Sequence, residues 1–179
     1  MKNGLVSLVA FGVAGAFLYV AFQGRMSGGA SGPAPEGGIP GLLGPRLVGA
    51  DGQSVDTSEL EGKTVALYFS ASWCGPCRQF TPDLVRTYRE LKAAGRPFEV
   101  VLVSSDRDEA AMREYMRTAS MPWLAVPYDR GRLQAIASRY NVRGIPAVVV
   151  LGPDGRTVST NGRMEVGRRG AGAWDLWRS

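Results

Sequence analysis

The chain has 179 residues, of which 45% are hydrophobic and 21% charged, with a net charge of +5. It contains no histidine, which removes Cys-His proteases, Ser-His-Asp hydrolases and His-ligated metal centres. Its arginines are spread along the chain rather than massed on one face, which argues against nucleic-acid binding.

Residues 3–24 carry no charge, and residues 4–22 are mostly apolar, between Lys2 and Arg25. A run of that length is close to the roughly 20 residues a helix needs to cross a bilayer. The following Phe22-Gln23-Gly24-Arg25 is a poor cleavage site, so residues 1–24 read as a signal anchor rather than a removed signal peptide. A single lysine before the run and a single arginine after it set no orientation, so side and compartment stay open. Residues 25–38 are rich in glycine and proline and should form a flexible linker. Residues 39–179 are then the globular domain, about 140 residues and enough for one well-filled core.

Within it, Asp51-Gly52 marks a hairpin. The apolar run 64–70 predicts a strand, 75–93 a helix, 98–104 a second strand and 108–118 a second helix. A short helix over 133–140, a strand over 147–151, a turn at Pro153-Asp154-Gly155 and a strand over 156–160 complete the order. Strands alternating with helices, then a hairpin, give an α/β sandwich. A right-handed crossover between the first two main strands places the loop 104–108 at the edge where strand 64–70 ends, so Asp106, Arg107 and Asp108 should stand at a rim there. Asp108 and its neighbours also fit an N-cap with a solvated first turn, the stronger of the two readings. Pro82 falls inside the helix 75–93 and should remove a hydrogen bond and kink it.

The first strand runs into Trp73-Cys74-Gly75-Pro76-Cys77, and Cys74 and Cys77 are the only cysteines of the chain. Cys74 therefore stands at a helix N-terminus, where free N–H groups and the helix dipole favour a thiolate. Cys77, one turn on, can attack a mixed disulfide formed by Cys74. A purely structural bridge over so short a loop would restrict the unfolded chain little, and a zinc site of the usual kind needs more sulfur or nitrogen ligands. No metal or cofactor is called for.

Tyr68-Phe69-Ser70-Ala71-Ser72-Trp73-Cys74 continues through Cys77-Arg78 to Phe80-Thr81-Pro82. Later come Met121-Pro122-Trp123-Leu124-Ala125-Val126-Pro127 and Gly144-Ile145-Pro146. Together these resemble the tryparedoxin and nucleoredoxin branch of the thioredoxin-like proteins, over residues 40–163. The resemblance implies a thioredoxin-like three-layer sandwich with a central mixed sheet, here preceded by the N-terminal membrane helix. It implies Cys74 as attacking thiol and Cys77 as resolving thiol, with Gly75 and Pro76 supporting the motif between them. It also implies Pro146 as a cis-proline facing the pair, with Trp73, Ile145 and Pro146 contacting substrate. An Ile-Pro bond can be cis at modest cost, and the Ile145 backbone could pair with an incoming segment.

The chain departs from that branch in places. The branch usually has two prolines between its cysteines, whereas Gly75-Pro76 is the pair of ordinary thioredoxins and leans toward a reductant near roughly −270 mV. Ordinary thioredoxins place a buried acid six residues before the first cysteine; here, as in the branch, the position is Tyr68, so the proton acceptor for Cys77 is unassigned. The Trp174 and Trp177 ending matches the branch only loosely.

The expected activity is a membrane-tethered thiol-disulfide oxidoreductase that reduces disulfide-containing protein clients and is recharged by an external thiol or reductase. A reductase dedicated to one exported client, and a redox-controlled binding module, are the alternatives.

Overall fold

The computed structural model describes residues 32–178. The apolar run over residues 4–22 and the first half of the expected linker, residues 25–31, lie outside the described residues. Among the described residues no helix is long and apolar enough to cross a membrane.

Helix α1 (Gly38–Leu43) and the hairpin β1 (Arg46–Val48) and β2 (Ser54–Asp56) come first. Then follow β3 (Thr64–Ser70), α2 (Gly75–Ala93), β4 (Phe98–Ser104), α3 (Glu109–Thr118), β5 (Leu124–Ala125) and α4 (Arg130–Arg139). Strands β6 (Ala147–Leu151) and β7 (Thr157–Ser159) precede α5 (Gly162–Arg169) and the final turn α6 (Trp174–Trp177). The seven strands form one sheet in the order β2-β1-β5-β4-β3-β6-β7. β3, β4 and β5 run parallel, while β6, β7, β1 and β2 add antiparallel flanks, so the sheet is mixed as expected.

β3 and β4 are buried at every position, because both faces of the sheet are covered. The side-chain period of two divides them into two cores. Ala66 and Tyr68 of β3 join Val100 and Leu102 of β4 against α2, α3, α5 and α6. Val65, Leu67 and Phe69 face the other way with Val101 and Val103, against Ile39 and Leu43 of α1 and Leu133 and Ile136 of α4. These are the three layers.

Several expectations shift. Residues 33–38 are not all tether: Pro35 is buried, lies against Gly155, and accepts the N–H of Gly38 at 2.9 Å, while Arg139 donates to the Pro33 carbonyl at 3.2 Å. Packing against the domain therefore extends ahead of residue 39. Helix α4 starts at Arg130 rather than residue 133, because Asp129 caps it by accepting from the Arg132 N–H at 3.2 Å. Helix α3 starts at Glu109 with Asp108 as its cap, bonded to the Ala111 N–H at 2.8 Å. Helix α2 holds Pro82 in its interior and continues to Ala93.

The C-terminal turns are part of the core. Trp177 is fully buried, stacks on Phe98 with ring centroids 5.5 Å apart, and donates its indole N–H to Glu165 at 2.7 Å. Trp174 meets the same Phe98 edge-on at 6.4 Å.

Candidate active site

The parallel register Ser70↔Ser104 brings the C-terminal ends of β3 and β4 side by side, and the antiparallel register Phe69↔Ala147 brings the start of β6 to the same edge. The loop after β3, the loop after β4 and the Ile145-Pro146 segment therefore meet at one pole of the sheet. That convergence is the ordinary location of a site in an open α/β sheet.

Cys74 and Cys77 are joined there, with an S–S distance of 2.06 Å. Cys74 is the N-cap of α2, and its sulfur accepts the Cys77 N–H at 3.2 Å. Once the bridge is opened, that N–H and the helix N-terminus face the Cys74 sulfur and favour its thiolate. Cys74 retains a small exposed surface and Cys77 has none, so an incoming sulfur can reach only the first. Gly75 and exposed Pro76 form the first helical positions between them.

The Ile145–Pro146 bond is cis, and the Ile145 carbonyl oxygen lies 3.7 Å from the Cys74 sulfur. Ile145 packs with Ala71 and both cysteines, and Pro146 is buried beside it. Trp73 is 64% exposed, an unusual position for a side chain of that size, and its indole N–H donates to the Ser105 carbonyl at 3.1 Å. Beyond Trp73 a cleft of about 450 Å³ is lined by Ser105, Arg107, Tyr128, Arg130 and Gln134. The residues read from the sequence as attacking thiol, resolving thiol, flanking aromatic and proline loop are thus gathered at one place.

Asp106 has a different part from the rim position expected. It is buried, and its carboxylate accepts from the Ser72 N–H at 2.9 Å, the Ser72 hydroxyl at 2.6 Å and the Ser104 hydroxyl at 2.8 Å. It clamps the loop carrying Trp73 to the end of β4. Arg107 is exposed, pairs with Asp108 at 3.1 Å and lines the cleft together with the buried Asp106, whereas Asp108 does not.

Under Cys77 lies a group of hydroxyls that sequence reading did not assemble. Tyr68 reaches Thr81 at 2.9 Å and the Cys77 carbonyl at 3.3 Å; Thr81 donates to that carbonyl at 2.8 Å. Tyr115 of α3 reaches Thr81 at 2.9 Å and Ser70 at 3.0 Å. Burial raises the pKa of Tyr68 well above that of an ordinary tyrosine. The sequence signal was Tyr68 at the acid's position, but its partners lie 9 and 13 residues away along the chain, and Tyr115 a further 34 beyond Thr81.

Comparison with known proteins gives the same answer as the geometry. The thioredoxin-like family profile matches residues 62–157, more than half of the chain. Nucleoredoxin of Bos taurus is 46% identical over 126 residues, covering 70% of this chain and 28% of that protein. The chain belongs to the tryparedoxin and nucleoredoxin branch of the thioredoxin-like family. Probable nucleoredoxin 1 of Arabidopsis thaliana is 44% identical over 128 residues, 72% of this chain and 22% of its own length. The chain thus spans only about a quarter of the length of the curated relatives it matches. Among solved structures, tryparedoxin from Trypanosoma brucei is 38% identical with a TM-score of 0.68, covering 79% of this chain and 95% of that one. Tryparedoxin II complexed with glutathionylspermidine is 35% identical with a TM-score of 0.63, covering 69% and 85%. The chain therefore carries a domain of the thioredoxin-like oxidoreductase family, with Cys74 and Cys77 joined as a disulfide.

Proposed function

We propose that this domain reduces disulfides in protein clients through the Cys74 and Cys77 dithiol. The observation that carries the reading is the asymmetry of the pair: Cys74 reachable, capping a helix and accepting an N–H, Cys77 sealed behind it. In the reduced domain the Cys74 thiolate attacks one client sulfur, and the client S–S bond breaks with loss of a thiolate. Cys77 then attacks Cys74, the intramolecular disulfide forms and the second client thiolate leaves. The client gains two electrons, which an external thiol or reductase returns to the domain. Ile145, with its carbonyl 3.7 Å from the Cys74 sulfur, supplies backbone against which an extended client segment can lie, and Trp73 flanks it.

The apolar run over residues 4–22 would tether this domain to a membrane; alkaline extraction of membranes holding the full chain tests that part. For the activity, insulin-disulfide reduction by the full chain in mild detergent is compared with Cys74→Ser and Cys77→Ser. Turnover in wild type and in neither variant, with Cys77→Ser accumulating mixed disulfides, is the expected result. A folded wild-type chain no faster than the dithiol alone would end the general-reductase reading. The dedicated-client and binding-module alternatives gain no specific support from the geometry.

A further inference from the structure

The buried hydroxyls under Cys77 leave a choice of acceptor only to Tyr68. Each of Ser70, Tyr68, Thr81 and Tyr115 has a single O–H to donate. Thr81 spends its proton on the Cys77 carbonyl, which can only accept. Thr81 must then accept from Tyr115, and Tyr68 must donate, either to Thr81 or to the same carbonyl. With the Tyr115 proton so committed, Ser70 is left as donor to Tyr115. The chain of bonds therefore runs Ser70 to Tyr115 to Thr81 to Cys77, every hydroxyl dipole pointing its positive end at the residue that bears the resolving thiol. All four side chains are buried, where aligned hydrogen bonds polarise one another and little water screens them.

No ionised side chain competes with this polarity. Arg78, on the same helix turn, donates to the Ser72 carbonyl at 2.7 Å; Asp106, from the β4 loop, is occupied by Ser72 and Ser104. Glu165, on α5, is held by Ser159 and Trp177, and Ile145 closes the β6 side with apolar contact. Among the described residues no carboxylate bonds to the four hydroxyls.

We propose that Ser70, Tyr115 and Thr81 are positioning residues that stabilise the Cys77 thiolate in place of a proton-accepting acid. The proposal rests on the reductase reading and specifies its second step. Cys77 loses its proton to water before attack. Its thiolate forms the bond to Cys74, the Cys74-to-client bond breaks, and the departing client thiolate takes up a proton from solvent. Tyr68, whose ionisation burial pushes far above neutral, stays protonated throughout.

The test isolates Cys77 in a Cys74→Ser chain and titrates it by thiolate ultraviolet absorbance, with the chain lacking both cysteines subtracted. Tyr115→Phe, which deletes one oxygen, and Thr81→Val should each raise the Cys77 pKa by about half a unit or more, roughly a threefold loss of thiolate. Thr81→Ser, which keeps the hydroxyl, should restore it. An unchanged or lowered Cys77 pKa in a Tyr115→Phe chain with native circular dichroism overturns the proposal. Should Thr81→Val fail to fold, Tyr115→Phe decides alone. The titration needs no client, so a domain that shows the shift yet reduces nothing would defeat the reductase reading and leave this one standing.

Discussion

Replacing Asp106 by alanine removes the clamp between the Trp73 loop and β4, and the cost can be worked from its three bonds. Each bond to a charged acceptor is worth about 1.5–3 kcal/mol, so a simple sum would reach about 5–9 kcal/mol. The deletion also relieves the burial of a carboxylate that is 5% exposed, and the two serine hydroxyls can turn toward neighbours. The Ser72 N–H cannot turn. A net loss near 3 kcal/mol is therefore expected for Asp106→Ala. Asp106→Asn keeps one oxygen for both Ser72 bonds and can donate to Ser104, so it should lose only about 1 kcal/mol. Urea unfolding of the oxidised chain at neutral pH measures both, and the Asp106→Ala chain should also reduce insulin more slowly as Trp73 loses its fixed place. Equal losses for the two variants, or less than about 1 kcal/mol for alanine, would refute the clamp.

Two further outcomes concern the aromatic side chains. Trp177→Ala should destabilise the domain by about 3–5 kcal/mol, while Trp177→Phe keeps the stack on Phe98, strands a Glu165 oxygen and loses about 1–2 kcal/mol, again by urea unfolding. Burial raises the pKa values of Tyr68, Tyr88 and Tyr140, with Glu99 adding to the effect on Tyr88. The unfolded chain ionises these groups near pH ~10 while the folded one does not, so their stability contribution is intact below ~10 and lost above it. The urea midpoint should fall as pH rises past that value, and Tyr88→Phe should flatten the fall.

Strands β3, β4 and β6 were legible because each is a short apolar run with both faces covered, and α2 because the cysteine motif announces its first turn. β5 was missed because two residues, Leu124 and Ala125, carry no period at all. α5 was missed because its glycines and arginines hide one buried stripe, at Gly162 and Val166. The start of α4 was missed because a cap at Asp129, not an apolar residue, sets it. At the site, the contiguous residues Trp73 to Cys77 and the pair Ile145-Pro146 were readable. Asp106 and the Tyr115 to Thr81 bond were not, since each depends on which side chains the β4 to α3 crossover turns inward.

Pro35 lies against Gly155, in the turn joining β6 to β7. The registers Val65↔Leu151 and Leu151↔Thr157 put that turn at the end of the sheet where β3 starts, whereas Cys74 follows its other end. Seven strand residues, about 20 Å, separate the two poles. Gly32, beside Thr157 of β7, is thus on the blind side of the molecule. A bead, an electrode or a fused carrier attached there would leave Trp73, Cys74 and Ile145 facing outward, open to a large client.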